Sequence, residues 1–379
     1  MNPKRLLCLF LTAVLLSGLL CGCSGESSPG GLGNGWEPIA TMPLQYATQF
    51  AVDYYDGGYK LLTVADGSRF LLIPQGQETP KGIAQDIVPL SQPLENIYLA
   101  ASAAMCFFDR LDRIGAVSLS GTRAEGWYIE NARKAMEDGS LVYAGKYSAP
   151  DYERLLAVGC PLAIESQMIE HTPEVREKLR QLGIPVLVDY ASDEPHPLGR
   201  TEWVKFYGAL MNREAEAQAA FQEQNAYLEA LTGVENTGKT VAFFHISSSG
   251  YVVARKSGDY VSNMIALAGG NYVFEDLGND NALSTVNLEM ETFFATAKDA
   301  DIVIYNSAIV GEVASLDDLV EQNPLLAQFK AVQNGDVWCT GQNMYQQTMD
   351  LGRMVHSFHR IFSDDARELE EVPYLKRLT

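Results

Sequence analysis

The sequence is short of basic residues and of long apolar runs. Its 379 residues include 28 Lys and Arg against 48 Asp and Glu, a net charge of -20. A chain this acidic is repelled by phosphate backbones, which excludes nucleic-acid binding. Beyond the N-terminal segment, no stretch approaches the roughly 18 apolar residues of a membrane span. The motifs GxSxG, HExxH and the P-loop are also absent, so the sequence indicates no enzyme.

Cysteine is scarce as well. Only Cys106, Cys160 and Cys339 follow residue 23, without CxxC spacing, which argues against a zinc site and against a dense disulfide framework. Two interpretations stay open: one disulfide, with Cys106–Cys160 as the pair, or three buried thiols.

The N-terminus is typical of a secretory signal. Lys4 and Arg5 precede an apolar run that ends near Leu20. The run Leu20-Cys21-Gly22-Cys23 resembles the bacterial lipobox, which implies lipidation of Cys23 and anchoring at the extracytoplasmic face of the cell membrane. A plain signal peptide or an uncleaved anchor is the alternative. The Gly/Ser-rich residues that follow predict a flexible tether over 24–44.

The body of the chain predicts two α/β lobes, each around a mostly parallel sheet. From Thr48, short β-rich runs broken by Asp-Gly turns indicate a meander, and after Pro93 strands and helices alternate. A second alternating unit begins near Lys239. We therefore predict an N-terminal lobe over 45–196 and a C-terminal lobe over 234–379.

Residues 197–233 separate the lobes. Apolar residues recur there with near-helical spacing, and no proline follows Pro197. This pattern predicts one long linker helix, with the ligand cleft between the lobes that it joins. Two shorter helices are the alternative. Arg200, near the start of this stretch, is expected to tie the linker to a lobe.

Four segments carry a resemblance to a known family. They are PDYERLLAVGCPLAI (150–164), MIALAGGNYVF (264–274), LEMETFFATAKDADIVIYN (288–306) and FKAVQNGDVWCT (329–340). Together they resemble the helical-linker class of ABC-transporter substrate-binding proteins, which deliver ferric siderophores, haem, cobalamin and some oxyanions. This chain departs from the pattern at Pro161-Leu162, where Pro-Asp is usual.

The resemblance implies an ABC permease and its ATPase as partners. It assigns permease docking to Glu153 in the N-terminal lobe and to Glu291 in the C-terminal lobe, with Glu289 as the competing choice. From the residues alone, Glu153 at a helix start can equally serve as a favourable charge near the helix dipole.

Ligand-binding candidates follow the carboxyl ends of the predicted strands, where clefts of α/β lobes form. They are Ser102, Trp127, Ser166, Gln167, Tyr251, Arg255, Lys256, Asn306 and Tyr345. Arg255 and Lys256 are adjacent cations in an acidic chain and indicate an anionic ligand; a solvated hairpin with charged tips is the alternative. Any of the three aromatic residues can instead belong to the core.

The sequence therefore predicts a lipid-anchored, monomeric solute-binding protein that captures a metal chelate, a ferric siderophore, without a cofactor or resident metal. A corrinoid or haem is the alternative ligand, for which His196 is conceivable as an axial ligand, although a structural role for it is favoured. A surface sensory or adhesive lipoprotein is the alternative class.

Overall fold

The computed structural model describes residues 31–33, 35–278, 285–363 and 368–379. Cys23 and the predicted signal peptide lie outside these ranges. Within them, every helix is too short or too polar to pass through a lipid bilayer.

The first sheet precedes the N-terminal lobe's parallel sheet and has the predicted meander. Its strands are β1 Ala40–Thr41, β2 Phe50–Tyr54, β3 Lys60–Val64, β4 Arg69–Ile73 and β5 Ile87–Ser91, paired in that order. The first four are antiparallel and β5 joins β4 in parallel. Gly57 and Gly67 turn the chain with φ near 80°, a conformation that favours glycine.

The second sheet is parallel and has the order β12-β11-β6-β7-β8. Its strands are β6 Ile97–Leu99, β7 Val117–Ser120, β8 Val142–Tyr143, β11 Ala163–Ser166 and β12 Val186–Asp189. A separate small hairpin consists of β9 Gly145–Lys146 and β10 Ala149–Pro150. The helices are α1 Met105–Arg110, α2 Glu130–Asp138, α3 Tyr152–Ala157 and α4 Pro173–Gln181. Continuously buried strands such as β12 reflect a sheet covered on both faces.

The C-terminal lobe has one mixed sheet in the order β16-β14-β13-β17-β18-β20-β19, with β15 also paired to β13. Its strands are β13 Thr240–Ile246, β14 Val252–Arg255, β15 Asn271–Tyr272, β16 Thr285–Leu288, β17 Ile302–Tyr305, β18 Val337–Thr340, β19 Glu371–Val372 and β20 Leu375–Arg377. The helices are α7 Tyr260–Leu267, α8 Met290–Ala297, α9 Ser307–Val310, α10 Leu316–Gln322, α11 Lys330–Asn334 and α12 Leu351–Phe362. The three central strands β13, β17 and β18 run parallel, which confirms the predicted α/β class for this lobe.

Two helices, rather than the predicted single one, join the lobes: α5 Pro197–Met211 and α6 Glu214–Glu229. The helix ends because Asn212 adopts a left-handed conformation with φ 55° and ψ 46°. Lys60 in the first sheet stabilises this end, since its Nζ donates to the Asn212 side chain at 2.7 Å and to the Ala209 carbonyl at 3.1 Å. The alternative of two shorter helices is therefore correct.

The predicted tether is also shorter than 24–44. Leu32 is fully buried in a small cluster with Tyr55 and Tyr59, and Trp36 packs edge-on against Tyr59 at 5.4 Å between ring centroids. The part of the predicted tether from Leu32 onward therefore belongs to the packed chain, because apolar side chains interrupt the Gly/Ser-rich stretch. Cys106, Cys160 and Cys339 are all buried free thiols, in agreement with the second of the two cysteine interpretations.

Candidate functional site

A cavity of about 200 Å³ lies where the two lobes meet. The N-terminal lobe contributes the segments after β6, β11 and β12, including Ser102, Ser166 and Ser192. The C-terminal lobe contributes Tyr260 at the start of α7 and Tyr345. Carboxyl ends of neighbouring strands meet at one edge of a sheet, which is why residues far apart in sequence share this wall.

Arg200, on the first turns of α5, carries a positive charge into this cavity wall. Its Nε donates to the Glu194 carbonyl at 2.9 Å, another guanidinium nitrogen donates to the Ser192 carbonyl, and the guanidinium lies 3.7 Å from the centroid of the Tyr260 ring. Among the described residues, no carboxylate forms an ion pair with Arg200. Burial lowers the pKa of Arg200, but a guanidinium stays protonated in proteins. The wall therefore holds a cation whose partners are carbonyls and a ring face.

A second cation lies behind Tyr345. The Arg255 guanidinium donates to the Tyr345 hydroxyl and pairs with Asp259 at 3.4 Å. Asn306 Nδ2 donates to the same hydroxyl at 2.8 Å. Burial opposes the charge of Arg255, but Tyr345 and Asp259 outweigh it and raise its pKa. These contacts orient Tyr345 toward the cavity and already neutralise Arg255.

A clasp, formed by Gln346 and the loop Gly126–Tyr128, holds the lobes together beside the cavity. Gln346 Nε2 donates to the Gly126 carbonyl at 2.7 Å, and the Tyr128 N–H donates to Gln346 Oε1 at 2.9 Å. The Tyr128 hydroxyl adds a bond to Gln342 at 2.9 Å. The cleft is therefore closed in this structure.

The structure brings together part of the predicted ligand-binding set. Ser102, Ser166 and Tyr345 line the cavity, and Arg255 and Asn306 contact Tyr345. Gln167 lies beside the wall, where its amide bonds to Asp193 at 2.6 Å and to Ser192 at 3.0 Å.

Trp127, Tyr251 and Lys256 are not part of the cavity lining. Trp127 is 2 % exposed and packs in the N-terminal core, so its ring is not available for stacking, and that expectation is wrong. Tyr251 is 39 % exposed on the turn between β13 and β14. The aliphatic part of Lys256 packs close to Gly278. Neighbouring residues of a turn point in different directions, so a candidate one position away from a cleft residue can lie in the core or at the surface.

The predicted docking glutamates are all exposed. Glu153 lies in the first turn of α3, one turn from Leu156, which is 48 % exposed. Glu289 and Glu291 lie at the start of α8, and the Glu289 side chain makes no capping bond to that helix. Both regions can therefore be reached by a partner, and docking remains a prediction.

His196 has a structural role in the closed state. Its Nδ1 accepts the N–H of Leu198 at 3.1 Å, which caps α5, and its ring stacks on Tyr46 at 4.2 Å. Burial lowers the pKa of His196, and a neutral ring is what a nitrogen acceptor requires. Within the described residues, no three His, Cys, Asp or Glu side chains converge as a metal site.

Most of the cavity lining lies outside the predicted set, including Arg200 and Tyr260. The predicted role of Arg200 in tying the linker to a lobe is confirmed by its bonds to the Glu194 and Ser192 carbonyls, but its place in the cavity wall is not part of that prediction. A scarce basic residue directly after EPHPLG, at the junction of lobe and linker, is the signal that could have indicated it. Tyr260 gave no signal, because a tyrosine at a helix start is common in any core.

Comparison with known proteins decides the family. Residues 120–344 match the family described as "Periplasmic binding protein". The chain belongs to this family. The resemblance inferred from the sequence motifs is thereby confirmed.

Two relatives of this periplasmic binding protein are uncharacterized lipoproteins of Methanocaldococcus jannaschii. One is 26 % identical over 93 % of each chain, and the other is 25 % identical over 92 % of this chain and 95 % of its own. Their names agree with the predicted class of lipoprotein.

Solved structures share the fold of this periplasmic binding protein. The periplasmic heme binding protein HutB of Vibrio cholerae is 17 % identical, with a TM-score of 0.56 over 69 % of this chain and 98 % of its own. An ABC-type Fe3+-hydroxamate transport system protein from Saccharomonospora viridis is 19 % identical, with a TM-score of 0.56 over 72 % and 94 %. At these identities the likeness concerns the fold.

Proposed function

We propose that this protein is the lipid-anchored solute-binding component of an ABC importer, and that it captures an anionic metal chelate, a ferric siderophore, between its lobes. The observation that carries the proposal is Arg200, a cation in the wall of the interlobe cavity with which no described carboxylate forms an ion pair, although Asp193 and Asp259 act on it at longer range. Burying a charge is costly unless a counter-charge compensates it. A ligand with a negative group supplies that compensation.

The lining of the cavity supports the choice of ligand class. Serine hydroxyls on one wall and the Tyr260 and Tyr345 rings on the other suit the polar and aromatic parts of a catecholate chelate. The carboxyl of Asp189 also lines the cavity, but it accepts the Tyr207 hydroxyl, and burial raises its pKa, which opposes a negative charge there. The volume of about 200 Å³ is below the roughly 300–1,000 Å³ of typical ligand sites. The closed cavity therefore suits the charged end of a chelate, and a whole siderophore requires the lobes to separate.

Thermal unfolding of the soluble chain from Ser24 onward tests this proposal. The panel contains ferric catecholate and hydroxamate siderophores, haem, cobalamin and molybdate. A ligand present at a hundred times its dissociation constant adds about 2.7 kcal/mol to the stability of the folded state, which is a shift of several degrees. We expect the largest shift with a ferric catecholate, and we expect Arg200→Gln to weaken binding tenfold or more.

The controls test the identity of the ligand and the role of Arg200 separately. Arg133→Gln makes the same substitution at an exposed arginine of α2, outside the cavity lining, and should leave affinity unchanged. A shift with haem or cobalamin alone would replace the chelate by the alternative ligands. An equal catecholate shift in wild type and Arg200→Gln would contradict the role of the cation, and no shift with any ligand would favour the sensory or adhesive class.

Delivery to a permease is the second part of the proposal. The exposed Glu153 with its neighbour Leu156, and Glu291 or Glu289, are the residues we assign to docking. Replacing Glu153 by Ala should abolish uptake of the bound chelate by cells but leave affinity and melting temperature unchanged. Comparing Glu289→Ala with Glu291→Ala in the same assay identifies the second glutamate. Loss of binding in Glu153→Ala would refute the docking assignment.

Lipid anchoring through Cys23 completes the proposal, and it is supported by the lipobox-like sequence and by the lipoprotein relatives. Cys23→Ser should release the protein from membranes, as measured by fractionation.

A further inference from the structure

The N-terminal strap, residues Pro43–Gln49, wraps around the start of α5. Its backbone N–H groups converge on two carboxylates that are fully buried, Glu194 and Glu202. Glu202 accepts the N–H groups of Gln45, Tyr46 and Ala47 at 2.8–3.0 Å. Glu194 accepts those of Thr48 and Gln49 at 2.8–2.9 Å. Charge-assisted bonds of this kind are stronger than neutral ones, so the strap is firmly attached.

The two carboxylates differ in their other partners. Glu202 pairs with the buried Lys205 at 2.7 Å, and Lys205 also donates to the Pro43 carbonyl at 3.1 Å. Glu194 instead accepts the indole N–H of Trp203 at 3.2 Å and the hydroxyl of Thr48 at 3.1 Å. Glu202 therefore links the strap to α5 as part of an ion pair with Lys205. The Glu194 side chain has no such cation within the described residues and is held by hydrogen bonds from the strap and from Trp203 of α5.

The main-chain carbonyl of Glu194 is one of the two carbonyls that hold Arg200. The Arg200 Nε donates to it at 2.9 Å, and the guanidinium reaches Ser192 two residues earlier. The side chain and the carbonyl of Glu194 thus connect the strap to the cation of the cavity wall. Gly199 allows this approach, since a Cβ there would lie 3.2 Å from both the Glu194 Cβ and the Tyr46 carbonyl oxygen.

We infer that Glu194 is a positioning residue for Arg200: the strap holds Glu194, and Glu194 fixes the guanidinium over Tyr260, where it meets an anionic group of the ligand. The last clause rests on the proposed function; the positioning itself does not. The strap lies outside residues 120–344, the stretch matched to the family, whereas Glu194 and Arg200 lie within it.

The first test needs no ligand. In the NMR spectrum of the full soluble chain, the Arg200 Nε–H resonance is identified as the signal that Arg200→Lys removes. The Tyr260 ring, whose centroid is 3.7 Å from the guanidinium, should shift this resonance away from the chemical shift of a solvated arginine. Glu194→Gln keeps the shape but places a donor against the strap N–H groups, and should move this resonance toward the solvated position. Glu202→Gln is the matched control, because it disturbs the same strap without a bond to the residues that hold Arg200.

The expected pattern is a moved resonance in Glu194→Gln and an unmoved one in Glu202→Gln, with a melting temperature lowered in both. Thr48→Ala removes only one hydroxyl donor to Glu194 and should give a smaller shift in the same direction, which keeps the test informative if Glu194→Gln does not fold. An unmoved resonance in Glu194→Gln, or equal movement in both glutamine variants, would overturn the inference.

A ferric catecholate is the probe for the second test. By calorimetry, Glu194→Gln should lower its affinity at least tenfold and Glu202→Gln less than threefold. If wild type does not bind this probe, the proposed ligand fails while the resonance test still decides the positioning role. If wild type binds and both variants keep its affinity, the inference about Glu194 fails while the proposed function stands.

Discussion

At the scale of single residues, charge placement distinguishes this protein. Arg255 and Arg200 are both half-buried cations near one cavity, but Arg255 forms an ion pair with Asp259 and Arg200 has carbonyls and the Tyr260 face as its direct partners. Asp193 and Asp259 act on Arg200 at longer range, but no described carboxylate forms an ion pair with it. This is the reason to assign the ligand's negative group to Arg200 rather than to the adjacent pair Arg255 and Lys256.

Glu165 is the residue for which a pH dependence follows directly. It is fully buried on β11, and neither carboxylate oxygen has a hydrogen-bond partner among the described residues. Burial raises the pKa of Glu165 from 4.5 to about 8. The folded state therefore binds a proton that the unfolded chain has released above pH 4.5. This contribution to stability is complete below pH 4.5 and is lost as the pH rises through 8.

The expected loss of folding stability from Glu165 is about 4 kcal/mol between pH 5 and pH 8, since each pKa unit corresponds to about 1.4 kcal/mol. Glu165→Gln removes the titration and keeps the size of the side chain. Chemical denaturation at several pH values should show a flatter profile for the variant than for wild type. Parallel profiles would mean that Glu165 is ionised in the folded state.

At the scale of elements, close helix contacts shape the connection between the lobes. Gly352 at the start of α12 faces α6, and a Cβ there would lie 2.2 Å from the Gln224 carbonyl oxygen. The Arg353 N–H also donates to the Gln224 side chain at 3.2 Å. The C-terminal lobe thus packs its last long helix directly against the backbone of the second connecting helix.

Gly352→Ala should therefore destabilise the protein by about 3 kcal/mol or more, near or above the upper end for overpacking, because a backbone carbonyl cannot move aside as a side chain can. Gly115→Ala is the control, since nothing lies within 4 Å of a Cβ at that position. Melting temperatures measured side by side check this, and equal values would show that the two helices can separate at little cost.

The elements also show which parts of the fold could be predicted from the sequence and which could not. Strands such as β13, TVAFFHI, were predictable because an apolar run of this length needs burial on both faces. The break at Asn212 was not, because it depends on Lys60 and on Gln92, whose amide donates to the Leu210 carbonyl at 2.9 Å. Both lie more than a hundred residues earlier in the chain. The place of Arg200 in the cavity wall was not predictable for the same reason, since its surroundings arise only when both lobes have folded.

At the scale of the whole molecule, the clasp controls access to the cavity. Gln346→Ala removes two hydrogen bonds between the lobes, each contributing about 1 kcal/mol, so the open state should become roughly 30-fold more populated. Hydrogen exchange at the Tyr128 amide should accelerate by at least this factor, because the variant also removes Gln346 Oε1, the acceptor of that N–H.

Tyr128→Phe is the comparison for the clasp, because it removes only the exposed bond to Gln342. It should leave the exchange of the amide at residue 128 nearly unchanged. If Gln346→Ala also leaves that amide protected, the lobes are held by other contacts, such as the bond from Thr201 to the Thr348 carbonyl at 2.8 Å.

Packing of Leu32 against Tyr55 and Tyr59 limits how far the body can move from a bilayer. With the lipid on Cys23, as proposed, eight residues lie between the anchor and Leu32. Eight residues span at most about 29 Å when fully extended, not far above the radius of gyration of about 21 Å expected for a chain of this length. Encounter with the proposed permease then becomes a lateral search within a thin layer next to the bilayer.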